Sequence, residues 1–246
     1  TIIVLVEPGG NKPIFIRSTD GAKTWSKPYQ GSLLEGVKTV STLGVRRDGS
    51  LMAVSEKPMR LIYSSDQGKT WEMGSEIDHS PMNSAWVWTG ERILELDDGT
   101  LVVPVAGYLQ AGRLSSGVLL SSDDGANWSF SVIGCGNPGN MMIFSEPAVA
   151  KMEDGGLVAL MRTEDRVSEI VPGEPRGERT GLCRANSWDG GKTWSSPVET
   201  LTGSHGSVVQ LPGGILLCGY HRAPRLALSS DGGRSWYANM LWVTEK

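Results

Sequence analysis

Short runs of alternating apolar and polar residues, separated by Gly- and Asp-rich turns, fill this chain from end to end. No stretch carries the three-and-four spacing of apolar residues that marks a helix over a useful length. One order recurs instead: an alternating strand, a tight turn, an apolar strand, a third strand and then a fourth. Lys38 to Val45, the turn Asp48-Gly49, Leu51 to Val54 and Leu61 to Tyr63 make one such set. Arg92 to Leu96, Asp98-Gly99, Leu101 to Val105 and Val118 to Leu120 make the next. Ala148 to Met152, Asp154-Gly155, Leu157 to Met161 and Gly181 to Ala185 follow. The last set is Ser207 to Leu211, Gly213-Gly214, Ile215 to Gly219 and Leu226 to Leu228. Asp-Gly between alternating apolar runs predicts a hairpin, because glycine takes the positive φ that a tight hairpin turn needs.

Each third strand ends in the same eight-residue box. Ser18 to Trp25, Ser64 to Trp71, Ser121 to Trp128, Ser187 to Trp194 and Ser229 to Trp236 follow S-x-D-x-G-x-x-W, with Ala22 replacing the glycine in the first. The aspartates Asp20, Asp66, Asp123, Asp189 and Asp231 are spaced by 46, 57, 66 and 42 residues. A fixed motif at elastic spacing is one structural unit repeated, with loops absorbing the differences in length. The carboxylate is expected to accept backbone N–H groups, the glycine to take a positive φ, and the tryptophan to plug the turn. Five of the nine tryptophans are committed this way, so the boxes predict structural staples rather than catalytic groups.

Four-stranded antiparallel units at this spacing predict an all-β fold, a β-propeller of four-stranded blades. Residues 1–246 read as a single propeller domain. Ile2 to Val6 is already a second strand, since Gly9-Gly10 stands close before Asp20, so blade one is incomplete at the N-terminus and five blades are visible. The ring is expected to close with five blades or to be part of one with six, because an open sheet edge invites aggregation.

Composition narrows the function. A formal charge of −4 without a basic run excludes a nucleic-acid-binding surface. Cys135, Cys183 and Cys218 have no metal spacing and are odd in number, so they imply no disulfide framework. His79, His205 and His221 are too scattered to predict a metal site, and no cofactor is expected. No apolar run reaches membrane-spanning length. The chain opens at Thr1 without a signal peptide, which leaves the compartment and the oligomeric state open.

The boxes belong to one end of the predicted blades, and a different chemistry collects at the other. Arg162, Arg222, Arg225, Lys38, Lys57 and Lys12 supply cations there, with Glu7 and Glu146 among them. Trp86, Trp88, Tyr108, Tyr220, His205 and His221 supply rings. Arginine forks suit a carboxylate and aromatic faces cover sugar rings, so this mouth predicts an acidic sugar or glycan ligand. Glu164 to Arg179 is a charged insertion on the same face, read as a surface loop with a lid as the alternative.

The five boxes resemble the Asp-box (BNR) repeats of the sialidase, or neuraminidase, superfamily, a six-bladed propeller family, over nearly the whole chain. Ser145 to Arg162 (SEPAVAKMEDGGLVALMR) is similar to the sialidase segment in which a Glu opens one inner strand and an Arg ends the next. The resemblance implies that Glu146 deprotonates a tyrosine nucleophile and that Arg162 is one of three arginines gripping a sialic acid carboxylate. HGSVVQLPGGILLCGYHRAPRLALSSDGGRSW is similar to the region of a later arginine, here Arg225 or, second, Arg222. Tyr220, His205, Tyr108 and Trp86 would then contact the sugar, and Glu91 to Tyr108 matches a blade whose loops line the pocket. The general-acid Asp of the family follows an A-D-A-R-like stretch in blade one; VEPGGNKPIF has neither Asp nor Arg at that place. The family's first arginine and its nucleophilic tyrosine belong to segments that these motifs do not include. Glu7 or Asp78 stands as a substitute acid, and Tyr220 or Tyr108 as a substitute phenol. The resemblance implies an exo-α-sialidase-like glycosidase, secreted or periplasmic if it acts as one. The alternative is a noncatalytic Asp-box propeller that binds glycans or docks a protein.

Overall fold

The computed structural model describes residues 2–6, 14–29, 37, 40–56, 58–84, 86–109, 113–136, 142–165, 180–220 and 225–241. Two compact units emerge: one of Thr1–Asp78, Arg92–Leu101 and Ser121–Trp128, the other of His79–Glu91, Val102–Leu120 and Ser129–Lys246.

In the first unit, β1 (Ile2–Val6) and β2 (Ile14–Ser18) form an antiparallel hairpin, with Ile2 opposite Ser18 and Val6 opposite Ile14. β3 (Val40–Val45), β4 (Leu51–Ser55), β5 (Arg60–Ser64) and β6 (Glu72–Glu76) follow as a four-stranded meander in chain order. β3 alternates buried positions with half-buried or exposed ones, while every residue of the central β4 is buried, as its run of apolar side chains requires. Phe15, Val40, Leu51, Ala53, Ile62 and Trp71 are the core of this unit.

Next come two short strands, β7 (Val87–Thr89) and β8 (Leu94–Glu95). The third repeat was expected to open with a single strand from Arg92 to Leu96, and the structure differs. Leu94–Glu95, within the expected stretch, does pair with the nine-residue β9 (Leu101–Leu109). Val87–Thr89 is a second strand beside it, pairing with the far end of β9, where Trp88 stands opposite Ala106. Gly90 interrupts the run, and its missing side chain lets the backbone lie against the Pro147 carbonyl. A β-branched and aromatic triplet holds a strand well, but a glycine that must stay bare for close approach ends it.

β10 (Arg113–Ser121) and β11 (Ser129–Cys135) complete that sheet in the order β11-β10-β9-β7. Two further meanders lie in the second unit. One is β12 (Met142–Lys151), β13 (Leu157–Asp165), β14 (Thr180–Ser187) and β15 (Val198–Thr202). The other is β16 (Ser207–Gln210), β17 (Leu216–Tyr220), β18 (Arg225–Ser229) and β19 (Tyr237–Leu241). Ala148, Leu160, Leu182, Val208, Leu216 and Cys218 pack the last two sheets against each other. The fold class is the all-β propeller, each four-stranded antiparallel meander being one blade.

The boxes are closed by their own side chains. In each, the serine hydroxyl donates to the aspartate Oδ1 at 2.8–2.9 Å. The same hydroxyl accepts the N–H of the fifth residue, for example Gly68 at 2.8 Å and Gly233 at 2.9 Å. Oδ1 accepts the backbone N–H of the seventh residue at 2.9–3.0 Å. Oδ2 takes that residue's side chain: Thr24, Thr70, Asn127, Thr193 or Ser235. The fourth and fifth positions both have positive φ, including Gln67 at 65° and the glycine substitute Ala22 at 69°. The tryptophan also caps the turn, since Trp128, Trp194 and Trp236 each donate Nε1–H to the box glycine carbonyl at 3.0–3.1 Å.

Candidate functional site

The second unit carries a cluster built around Glu146. Along β12 and β13 the register runs Ser145 opposite Arg162, then Ala148 opposite Leu160. Glu146 and Pro147 together therefore face the single residue Met161, a β-bulge that re-aims the side chain. Proline suits the place because it has no N–H to leave unpaired.

Arg162 Nη1 donates to Glu146 Oε1 at 3.0 Å, and Nη2 donates to Glu164 Oε1. Arg162 and Glu164 are two residues apart on β13, so their side chains share a face. His205, between β15 and β16, brings Nε2 to 3.2 Å from the same Glu146 Oε1, while its Nδ1 lies 3.0 Å from Ser204 Oγ. An ionised carboxylate only accepts, so Nε2 bears the proton; in the neutral ring Nδ1 then accepts the serine O–H. Side-chain exposure is 32% for Glu146, 17% for Arg162, 28% for Glu164 and 45% for His205. The cluster thus lies at a surface while its ion pairs are partly sheltered, which raises their strength.

Backbone strain marks the same spot. Six described non-glycine residues have positive φ. Ala22, Gln67 and Asp124 are box-turn residues, and Asn83 caps a short 3-10 helix. The remaining two are Glu146 at 49° and His205 at 54°, the residues hydrogen-bonded to each other. Such conformations cost roughly 1–3 kcal/mol each and concentrate at functional sites. Two buried atoms here have no partner among the described residues, Glu146 Oε2 and Arg162 Nε. Buried polar atoms are nearly always paired, so each of these asks for a reason. One carboxylate oxygen of Glu146 is thus fixed by two donors, while the other has no partner among the described residues.

The other sequence-predicted residues scatter around this cluster. Arg225 is half-buried, opposite Tyr220 where β17 ends and β18 begins; among the described residues it shares no bond with Glu146 or Arg162. Tyr220 is only 4% exposed and lies in the hydrophobic core beside Cys218. Trp86 and Tyr108 are 69% and 41% exposed, and Tyr108 meets Trp88 edge-on at 6.3 Å between ring centroids. Arg222, His221, Glu7, Lys12, Lys38, Lys57 and 166–179 lie outside the described residues. Burial pushes the Cys218 thiol up to about 12, so it is a core residue and not a nucleophile. Glu164 and Ser204 join the cluster without having been singled out in the sequence. Glu164 counted there as the first residue of an insertion, because the predicted strand stopped at Met161, whereas β13 runs on to Asp165.

Among the described residues no group of three or more His, Cys, Asp or Glu is arranged to hold a metal ion, and no helix is long and apolar enough to cross a membrane.

Comparison with known proteins bears on this geometry. The family model of the BNR repeat-like domain matches residues 50–245. A sialidase of Bacteroides fragilis (strain YCH46) is 29% identical over 139 residues, which make up 55% of this chain and 22% of that protein. A Hadza microbial sialidase matches with a TM-score of 0.64 at 20% identity, over 92% of this chain and 51% of that one. The Penicillium chrysogenum alpha-L-arabinanase complexed with arabinobiose matches with a TM-score of 0.68 at 17% identity, over 96% and 77%. The match spans about a fifth of the Bacteroides protein's length and about half of the Hadza enzyme's. At these identities the solved structures show a shared fold.

Proposed function

The chain belongs to the BNR repeat-like domain family, among the Asp-box propellers of the sialidase superfamily, and from that premise we propose that it is a glycoside hydrolase acting on terminal sialic acid or a related acidic sugar. The observation that carries this reading is the Glu146–Arg162 pair at 3.0 Å on a strained bulge. A glycosidase for an anionic sugar can use a tyrosine nucleophile activated by a glutamate rather than paired carboxylates. In that chemistry Glu146 takes the phenol proton as the phenol oxygen bonds to the anomeric carbon. The glycosidic C–O bond breaks, the departing oxygen takes a proton from the substitute acid, Glu7 or Asp78, and water then displaces the phenol to release the sugar. Arg162 holds the sugar carboxylate, with Arg225 or Arg222 as the second cation. Trp86 and Tyr108 offer exposed rings for an apolar sugar face.

A second reading is a noncatalytic propeller that binds glycans or docks a protein. It is favoured by the lack of a phenol on Glu146 Oε2 among the described residues, with Tyr220 in the core and Tyr108 turned to Trp88. Hydrolysis of a fluorogenic sialic acid glycoside, run beside a binding titration with free sialic acid, separates the two. Turnover lost in Glu146→Ala supports the enzyme. Binding without turnover supports the second reading, and the absence of both leaves a shared scaffold only.

A further inference from the structure

We infer that Glu164 is a built-in substitute for the ligand's carboxylate, holding the Arg162 guanidinium until an acidic sugar displaces it. The inference rests on reading the site as one for acidic sugars.

A guanidinium grips a carboxylate through one of two forks, end-on by Nη1 and Nη2 or side-on by Nε and Nη2. Both forks use Nη2, and Nη2 is the nitrogen bonded to Glu164. Nη1 is engaged by Glu146, and Nε is covered and has no partner among the described residues. The side-on fork therefore has one N–H without a partner, under cover, and Glu164 holds its other half. An incoming carboxylate gains two parallel N–H bonds only where Glu164 gives way.

Glu164 is also the carboxylate that can leave. Glu146 is fixed by Arg162 and His205 and set on a bulge. Glu164 makes its ion pair with Arg162, has 28% of its side chain exposed, and stands at the last register pair of β13 and β14, opposite Thr180. Two carboxylates on one guanidinium repel each other; both are about equally exposed, and Glu164, held by one ion pair among the described residues where Glu146 is held by two, loses less by turning to water. Exchange is then charge for charge. A sugar carboxylate replaces Glu164 at little electrostatic cost, whereas a neutral sugar has nothing to exchange.

Titration calorimetry with N-acetylneuraminic acid and its methyl ester tests this on the full chain, as wild type, Glu164→Gln, Glu164→Asp and Arg162→Ala/Glu164→Gln. Glu164→Gln is expected to bind the acid about tenfold more tightly, the scale of one partly sheltered charge contact. Glu164→Asp, whose shorter arm keeps the charge but weakens the reach, gives a smaller gain and guards against a Gln variant that folds poorly. The ester gains nothing, and the double variant loses the gain. Equal or weaker acid binding by folded Glu164→Gln beside a wild type that does bind overturns the inference and leaves the acidic-sugar reading standing. A gain of the same size for the ester also overturns it. No binding of the acid by wild type or either single variant removes both the reading and the inference.

Discussion

His205 shows how a single residue can matter through its neighbour. Its Nε2 donates to the Glu146 oxygen that Arg162 also holds, and both His205 and Glu146 keep a positive φ to make the contact. His205→Ala removes that donor and frees Glu146 to leave its geometry. It is expected to lower kcat/KM on the fluorogenic sialoside by about tenfold or more, since small misplacements of a catalytic group are costly. His205→Gln, which keeps a side-chain N–H, should recover part of the loss; equal activity in all three proteins contradicts the positioning role. Glu146 and Arg162 were readable in the sequence as the start and end of successive inner strands. The bulge between them was not, because one extra residue in a strand leaves the alternating pattern almost unchanged. Ser204 and Glu164 were hidden for a related reason: hydroxyls and carboxylates are common at strand ends, and only three-dimensional register says which ones face inward.

At the scale of the element, the box tryptophans differ in what they hold. Trp71 is 2% exposed and stacks on Phe15 with centroids 5.5 Å apart, whereas Trp25 is 42% exposed. Trp71→Ala is expected to cost about 3–5 kcal/mol, the usual range for a buried aromatic. That corresponds to a drop in melting temperature of roughly 10 °C for a chain of this size. Trp25→Ala should cost less than about 1 kcal/mol, as mostly exposed positions do. Thermal unfolding of the two variants checks the contrast, and equal losses refute it. The hairpin turns and most strands could be traced in the sequence to within a few residues, because alternation and Asp-Gly turns act locally. Val87–Thr89 could not, since three residues carry too little pattern and its place depends on pairing with the far end of β9. The role of the seventh box residue was present in the sequence as Thr, Thr, Asn, Thr and Ser, all short hydrogen-bonding side chains.

For the molecule as a whole, the repeated turns concentrate acid sensitivity. Side-chain donation from the seventh residue, then its backbone N–H, lowers Asp20, Asp66, Asp123 and Asp189 from the ordinary 3.8 to about 2. Asp231 is lowered by the same contacts. A carboxyl whose folded pKa is depressed contributes stability above its unfolded value and loses it as pH falls through the folded one. Stability is therefore expected to fall between about pH 4 and about pH 2. These carboxylates are solvent-exposed, so each contribution is small and screened, and the slope reflects several of them titrating together. Urea unfolding at steps through this window is the measurement. Replacing Asp66 and Asp231 with Asn should flatten the dependence, and an unchanged slope speaks against the boxes as its source. The fold class was the most legible feature of the sequence because the box repeats, and repetition is independent of the long-range pairing that hides single contacts.

A turn whose serine, aspartate and seventh residue bond to one another within eight residues asks little of the rest of the chain for its closure. It behaves like a clasp that can be copied along with the ribbon it fastens. Duplication of such a segment brings its own closure, so a gene can add or lengthen a copy without first finding a matching partner surface. The uneven spacing of the five aspartates is the trace such growth would leave. It makes the distance between clasps, rather than the clasps themselves, the variable on which related proteins can diverge.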